Sequence, residues 1–269
     1  MRLMKKSNFS ISFHPVLWVM ALASFLSGQF LSFFMLFILV LFHEAAHAMT
    51  AACFKWKVAK LTLLPFGGQL EVKKILNKPV SEELAVACSG PLFHILVHLL
   101  MICFQPPFPL ADELYHLNLQ LLFFNLLPVW PLDGGRVVYS VANLLFPFKK
   151  SVHITLIVSS ISLFALLLIL LNGIQFQWML LYIYSAVCTW QLYLNRHLLH
   201  KQFLLEKWGD HAPDHKVKVK VIEDKLNIHS LVNKLYKGRK QYFILMRNGK
   251  MIGNLSDDMI IKRYFSAEK

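Results

Sequence analysis

Cysteine chemistry is missing from this chain. Cys53, Cys88, Cys103 and Cys188 form no C-x-x-C pair and lie in or beside apolar segments. They read as small buried hydrophobes, not as a disulfide framework or a thiolate metal site. Charge is scarce as well. Only 16% of residues are charged against 56% hydrophobic, and the mean hydropathy of +0.50 is too apolar for an ordinary soluble domain. Acids are the scarcer sign, 15 against 28 Lys and Arg, for a net charge of +13. Those cations cluster beside apolar stretches, at the N-terminus, between Lys55 and Lys78, at Lys149 and Lys150, and across the last third. Such clustering sets membrane orientation and argues against a nucleic-acid partner. Repeated halves, common in secondary transporters, are not visible either.

What is present is a series of apolar stretches, roughly 13–29, 30–54, 82–104, 113–148, 152–171 and 174–195. Most reach the ~20 residues that a membrane-spanning helix needs. The fourth is longer and is broken by Pro128, Pro131, Gly134 and Gly135. Basic loops alternate with neutral or acidic ones, which predicts six spans with both termini in the cytosol. Ala21-Leu22-Ala23 resembles a signal-cleavage site, but the apolar run continues past Ser24, so an uncleaved anchor is expected.

The composition changes after residue 201. The pattern predicts a membrane domain over 1–200, a linker over 201–215 and a small cytosolic α/β unit over 216–269. Within that unit, Val217 to Ile222 alternates as a strand and Ile228 to Tyr236 has helical spacing. Tyr242 to Met246 and Met251 to Leu255 flank Asn248-Gly249 as a hairpin, and Ser256 can cap a last helix. The fold class expected is an α-helical multi-pass membrane protein of six transmembrane helices with this α/β unit at its C-terminus.

His43-Glu44-Ala45-Ala46-His47 is an H-E-x-x-H motif. Residues four apart share a helix face, so both imidazoles can reach one Zn²⁺ with Glu44 beside the water to be activated. The motif follows thirteen residues that are apolar except for Ser32, which puts it at membrane depth. An ionisable group there costs about 2.5–3.5 kcal/mol, so its default reading is functional. Two histidines leave a catalytic zinc one protein ligand short. Asp133 is the only acid in the fourth stretch once Glu113 is counted outside, and it lies at matching depth. Gly134 and Gly135 are expected to let the backbone bend around the metal. His94 and His98 are also four apart, but with no acid between them they are expected to hydrogen-bond neighbouring helices or to line a polar cavity.

H-E-x-x-H in an early span and L-D-G in a later, proline-broken span resemble the site-2 proteases, which are intramembrane zinc metalloproteases. The string N-L-L-P-V-W-P-L-D-G-G at 125–135, L-P-F-G-G at 64–68 and S-G-P at 89–91 look most similar to the sporulation branch of that family. The resemblance implies that His43, His47 and Asp133 are ligands of one zinc, that Glu44 is the catalytic acid and base, and that Asn125 handles substrate. For that branch it also implies cleavage of a sigma-factor precursor (pro-sigma-K) in the outer forespore membrane, held in check by inhibitory membrane proteins. The C-terminal unit resembles a single cystathionine-β-synthase (CBS) motif, a type that works in pairs and often binds adenine nucleotides such as ATP. A homo-oligomer that pairs two copies is one expectation, and a substrate-docking domain is the other.

A substrate helix hides its carbonyls in intrahelical hydrogen bonds and must be extended before it is cut. Val58 to Val72, turning at Pro65-Phe66-Gly67-Gly68, is expected to form a hairpin whose free edge adds the substrate as a strand. This places Gly67 and Gly68, with Asn125, Pro128 and Pro131, among the candidate substrate-binding residues. The break at Pro128–Gly135 is expected to line a water-filled cavity, because such backbone needs partners at membrane depth. The rival classes are a transporter and an inactive relative. The H-E-x-x-H spacing weighs against the first and the presence of Glu44 against the second.

Overall fold

A computed structural model describes residues 10–64, 67–72, 75–104, 110–171, 176–208, 217–223, 227–247 and 250–267. The protein is mostly helical. After a short strand β1 (Ser10–Phe13) come α1 (Pro15–Leu26) and α2 (Phe30–Cys53). The hairpin β2 (Val58–Leu64) and β3 (Gly67–Val72) leads to α3 (Val80–Phe104), α4 (Ala111–Leu126) and α5 (Asp133–Leu145). Then follow α6 (Phe148–Leu171) and α7 (Phe176–Trp208). In a bilayer only a helix or a closed barrel satisfies its own backbone, and runs such as Phe33 to Phe42 leave no other structure open. Among the described residues α2, α3 and α6 are long and apolar enough to cross a membrane, and α1 is apolar but only 12 residues long. Their outward faces carry exposed large apolar side chains such as Trp18, Phe25, Ile161 and Phe164, as a lipid-facing surface does.

Helix α3 packs against α2, α4 and α5, and α6 packs against α5 and α7. The fourth apolar stretch is two helices, α4 and α5, parted at residues 127–132. Hydroxyl groups of neighbouring helices satisfy this break: the Trp130 N–H donates to Ser159 Oγ (3.0 Å) and Thr189 Oγ1 donates to the Trp130 carbonyl (3.0 Å). Protein rather than water supplies these two partners, and Trp130 of the break, with Arg136 and Tyr139 of α5, also lines a cavity of about 300 Å³.

The hairpin forms as expected, with Leu63 opposite Gly68 and Leu64 opposite Gly67. Pro65 and Phe66 lie outside the described residues, and Gly67 and Gly68 belong to β3 itself. Strand β1 adds to the sheet unannounced, pairing in parallel with β2. It occupies the outer edge of β2, so that among the described residues the hairpin's remaining open edge is that of β3, and β1 forms the other edge of the sheet. Ala51, Trp56 and Val86 form the small core that pins this sheet to α2 and α3.

The C-terminal elements appear in the expected order: β4 (Val217–Glu223), α8 (Ile228–Val232), β5 (Lys240–Arg247), β6 (Lys250–Ser256) and α9 (Asp257–Ala267). Strand β5 pairs in parallel with β4 and antiparallel with β6. The Asn248-Gly249 turn lies outside the described residues. The Met259 N–H donates to Ser256 Oγ at 3.3 Å, the expected cap. Helix α7 runs to Trp208, so a linker begins no earlier than residue 209. Burial explains the extension: Phe203 and Leu204 are fully buried in one core with Phe148, Leu235, Phe243, Ile260 and Ile261. Phe148 stacks on Phe203 at 4.1 Å. Lys207 Nζ lies 3.0 Å from Asp257 Oδ2, and a buried ion pair joins Lys237 to Glu83 on α3. The C-terminal unit therefore shares a core and a buried ion pair with the helical domain.

Candidate metal centre

The H-E-x-x-H motif lies in the second half of α2, which keeps His43 and His47 on one face. Asp133 is the first residue of α5, where the positive end of the helix favours a carboxylate. The fold brings the three together: His43 Nε2, His47 Nε2 and Asp133 Oδ2 form a triangle with all sides 3.1 Å. They are the only group of metal-binding side chains in such proximity among the described residues, and all three are at most 4% exposed.

The hydrogen-bond partners fix what these atoms offer. His47 Nδ1 is 2.7 Å from the Val86 carbonyl oxygen, which can only accept, so Nδ1 carries the proton and Nε2 presents a lone pair. Arg136 Nη1 lies 3.8 Å from Asp133 Oδ1 and leaves Oδ2 to the triangle. Four-coordinate zinc with bonds of about 2.0–2.1 Å spaces its ligand atoms by about 3.3 Å. The observed 3.1 Å sides agree within the usual tolerance of about 0.2 Å. The donor set, two imidazoles and one carboxylate, is that of open, catalytic zinc sites.

Glu44 is 5% exposed, and its Oε1 accepts the Gly68 N–H at 2.5 Å. Strand β3 thus lies directly on the acid, and the close approach requires glycine: a Cβ at Gly68 would stand 2.5 Å from Glu44 Cδ. Gly90 on α3, unremarked by spacing rules, is just as tightly placed, because a Cβ there would run into both His43 and His47. Gly134 and Gly135 serve close approach too. A Cβ on Gly135 would stand 2.5 Å from the Val129 carbonyl, and one on Gly134 would meet the backbone of Leu126 and Leu127. Neither has a positive φ, so their role is packing of α5 onto the break, not the expected bend.

Asn125 is in the last turn of α4, and its Nδ2 donates to the Leu121 carbonyl at 3.1 Å, so the amide is turned back on its own helix. Pro128 and Pro131 lie in the break that precedes Asp133. His94 does what its spacing suggested: Nδ1 pairs with Asn118 Oδ1 at 2.8 Å, and Asn118 Nδ2 donates back to the His94 carbonyl at 3.0 Å. Its ring packs 4.9 Å from that of His43. His98 stacks on Tyr115 at 4.7 Å.

The model of peptidase family M50 matches residues 31–109 and 110–170. The chain belongs to peptidase family M50, the site-2 proteases. It is a zinc metalloprotease of that type and an integral membrane protein. Stage IV sporulation protein FB of Bacillus subtilis is 31% identical over 268 residues, which cover 96% of this protease and 92% of that protein. A zinc metalloprotease of Methanocaldococcus jannaschii is 33% identical over 129 residues, 45% of this chain and 37% of that one. The solved structure of the site-2 protease from the same archaeon superposes with a TM-score of 0.56 at 27% identity, covering 71% of this protease and 94% of the archaeal chain.

Proposed function

We propose that this protease hydrolyses a peptide bond of a membrane-associated protein near the cytosolic membrane face, with the pro-sequence of a sporulation sigma factor, pro-sigma-K, as its substrate. The observation that carries the reading is Glu44 held against strand β3 beside the 3.1 Å triangle of His43, His47 and Asp133. Similarity to a sporulation protein over nearly the whole chain supports the substrate.

In this reading His43, His47 and Asp133 hold the zinc. A bound Zn²⁺ supplies Lewis acidity, which polarises the scissile carbonyl and makes water acidic enough to attack near pH 7. Glu44 accepts the proton from the attacking water and returns it to the leaving amine. The Val86 carbonyl holds His47 in the tautomer that leaves Nε2 free. Strand β3 offers its unpaired edge to an extended substrate, with Gly67 and Gly68 delivering that strand to Glu44. The Asn125 amide, once released from Leu121, hydrogen-bonds the substrate backbone, and Pro128 and Pro131 hold the break that presents it.

The topology belonging to this reading has six spans, with α1, α4–α5 and α7 joining α2, α3 and α6, and both termini cytosolic in the outer forespore membrane. Inhibitory membrane proteins of the sporulation complex are the expected regulators. The CBS-like C-terminal unit docks substrate or pairs with a second copy, adenine nucleotide being the ligand class of such motifs. The test is co-expression with a membrane-associated pro-sigma factor. Wild type yields the shortened product and Glu44→Gln does not, although the variant still accumulates in the membrane. Equal cleavage by both refutes the assignment.

A further inference from the structure

A cavity of about 450 Å³ opens where the first turns of α6 meet α7, beside the C-terminal unit, and it shares no residue with the metal centre. Six of its lining side chains are basic or imidazole: Lys149, Lys150 and His153 from α6, and Arg196, His197 and His200 from α7. No acid lines it. The cations are held by neutral groups. Lys149 Nζ donates to Asn233 Oδ1 at 3.1 Å, and the Arg196 guanidinium lies 3.9 Å over the Tyr193 ring. Lys149 and Lys150 also stand in the first turn of α6, where the helix end adds positive potential.

His200 belongs to the cavity wall, its ring packed against Phe148 (centroids 6.0 Å) and Phe203 (6.2 Å). Both of its ring nitrogens are shielded from solvent and have no hydrogen-bond partner among the described residues. Burial first, then Lys149 and His197, push its pKa down to about 4, so the neutral ring holds one N–H donor and one acceptor unused. Buried polar groups rarely stay unpaired.

Two apolar stripes run away from this basic mouth. On α6, Ile157, Ile161, Phe164 and Leu168 continue the helix face of His153, and all four are exposed. On α7, Ile183, Val187, Trp190 and Leu194 lead up to His197 along one face, and they are exposed too. A ligand suited to this surface has an anionic head and long apolar tails, and basic pockets at the ends of membrane helices hold such headgroups.

We propose that this cavity binds the phosphate group of an anionic phospholipid, with the acyl chains lying along the α6 and α7 stripes. The test is native mass spectrometry of the detergent-purified full-length protein titrated with phosphatidylglycerol or phosphatidylcholine. Wild type is expected to prefer phosphatidylglycerol by at least tenfold. Lys150→Gln with Arg196→Gln is expected to bind it about thirtyfold more weakly, and the charge-preserving pair Lys150→Arg with Arg196→Lys to retain it, all with unchanged zinc content and melting temperature. Equal affinity for the two lipids, or undiminished binding by the Gln pair, overturns the proposal. Displacement of the lipid by millimolar inorganic phosphate keeps the phosphate chemistry but overturns the lipid source. Tighter competition by a Glu-rich peptide would give the cavity to protein substrate instead.

Discussion

Gly90→Ala is the sharpest probe of how α3 shapes the metal centre. On helix propensity alone the change should help, since alanine is favoured over glycine within a helix by about 1 kcal/mol. The site geometry predicts the opposite sign. The new methyl would stand 2.7 Å from His43 Nε2 and closer still to His43 Cε1 and His47 Nε2, whereas real Cβ atoms essentially never approach within 3.0 Å. The closest contacts, 2.4 Å to His43 Cε1 and to His47 Nε2, call for a retreat of roughly 0.6 Å, beyond the ~0.2 Å that a zinc site tolerates, and His47 is tethered to the Val86 carbonyl one turn away. Overpacking of this kind costs about 1–3 kcal/mol. Expressed wholly in metal binding, that is a loss of about 5- to 150-fold in zinc affinity. Competition with a chromophoric chelator measures it, with the amount of protein in the membrane as the control for folding. Zinc affinity equal to wild type, or higher stability with full activity, would refute the reasoning.

Other substitutions probe separate parts of the account. Gly68→Ala pushes a methyl to 2.5 Å from Glu44 Cδ, so turnover should fall at least tenfold while zinc stays bound; unchanged turnover would contradict the contact. Lys237→Met leaves Glu83 buried without its cation and should destabilise the protein by about 3–5 kcal/mol in detergent unfolding, whereas the double change with Glu83→Met should recover most of that loss. An equal loss in both would show that the pair itself is not what the single change disturbs. Ser159→Ala removes the acceptor of the Trp130 N–H and should cost about 1–3 kcal/mol. No loss would mean that water fills in at the break.

How much of this was legible in the sequence depends on where each signal is stored. His43, Glu44 and His47 are a local pattern, since one helical turn sets their spacing, and Asp133 stands out as a lone acid in an apolar stretch. The hairpin and the order of the C-terminal elements follow from alternation and turn residues. Gly90 lies in the S-G-P string that the family resemblance picks out, but neither its role nor that of Val86 is visible locally, because both arise only when α3 lies across the histidine face of α2. Strand β1 is four residues whose partners are fifty positions away, so nothing local distinguishes it. Gly134 and Gly135 stand out in the sequence, but spacing only flags a glycine and cannot tell a bend from the close contact that these two make. The extension of α7 to Trp208 follows from burial against the C-terminal unit, a tertiary effect that overrides the drop in hydropathy after residue 201.

The central claim is that two imidazoles and one carboxylate from separate helices hold a single zinc with Glu44 as the base beside it. Elemental analysis of the purified full-length protein tests this most directly. Wild type and Glu44→Gln should each retain one equivalent of zinc, while His47→Ala and Asp133→Ala should lose it together with activity. Full zinc occupancy in the His47 and Asp133 variants, or no zinc in the active wild type, would contradict the account.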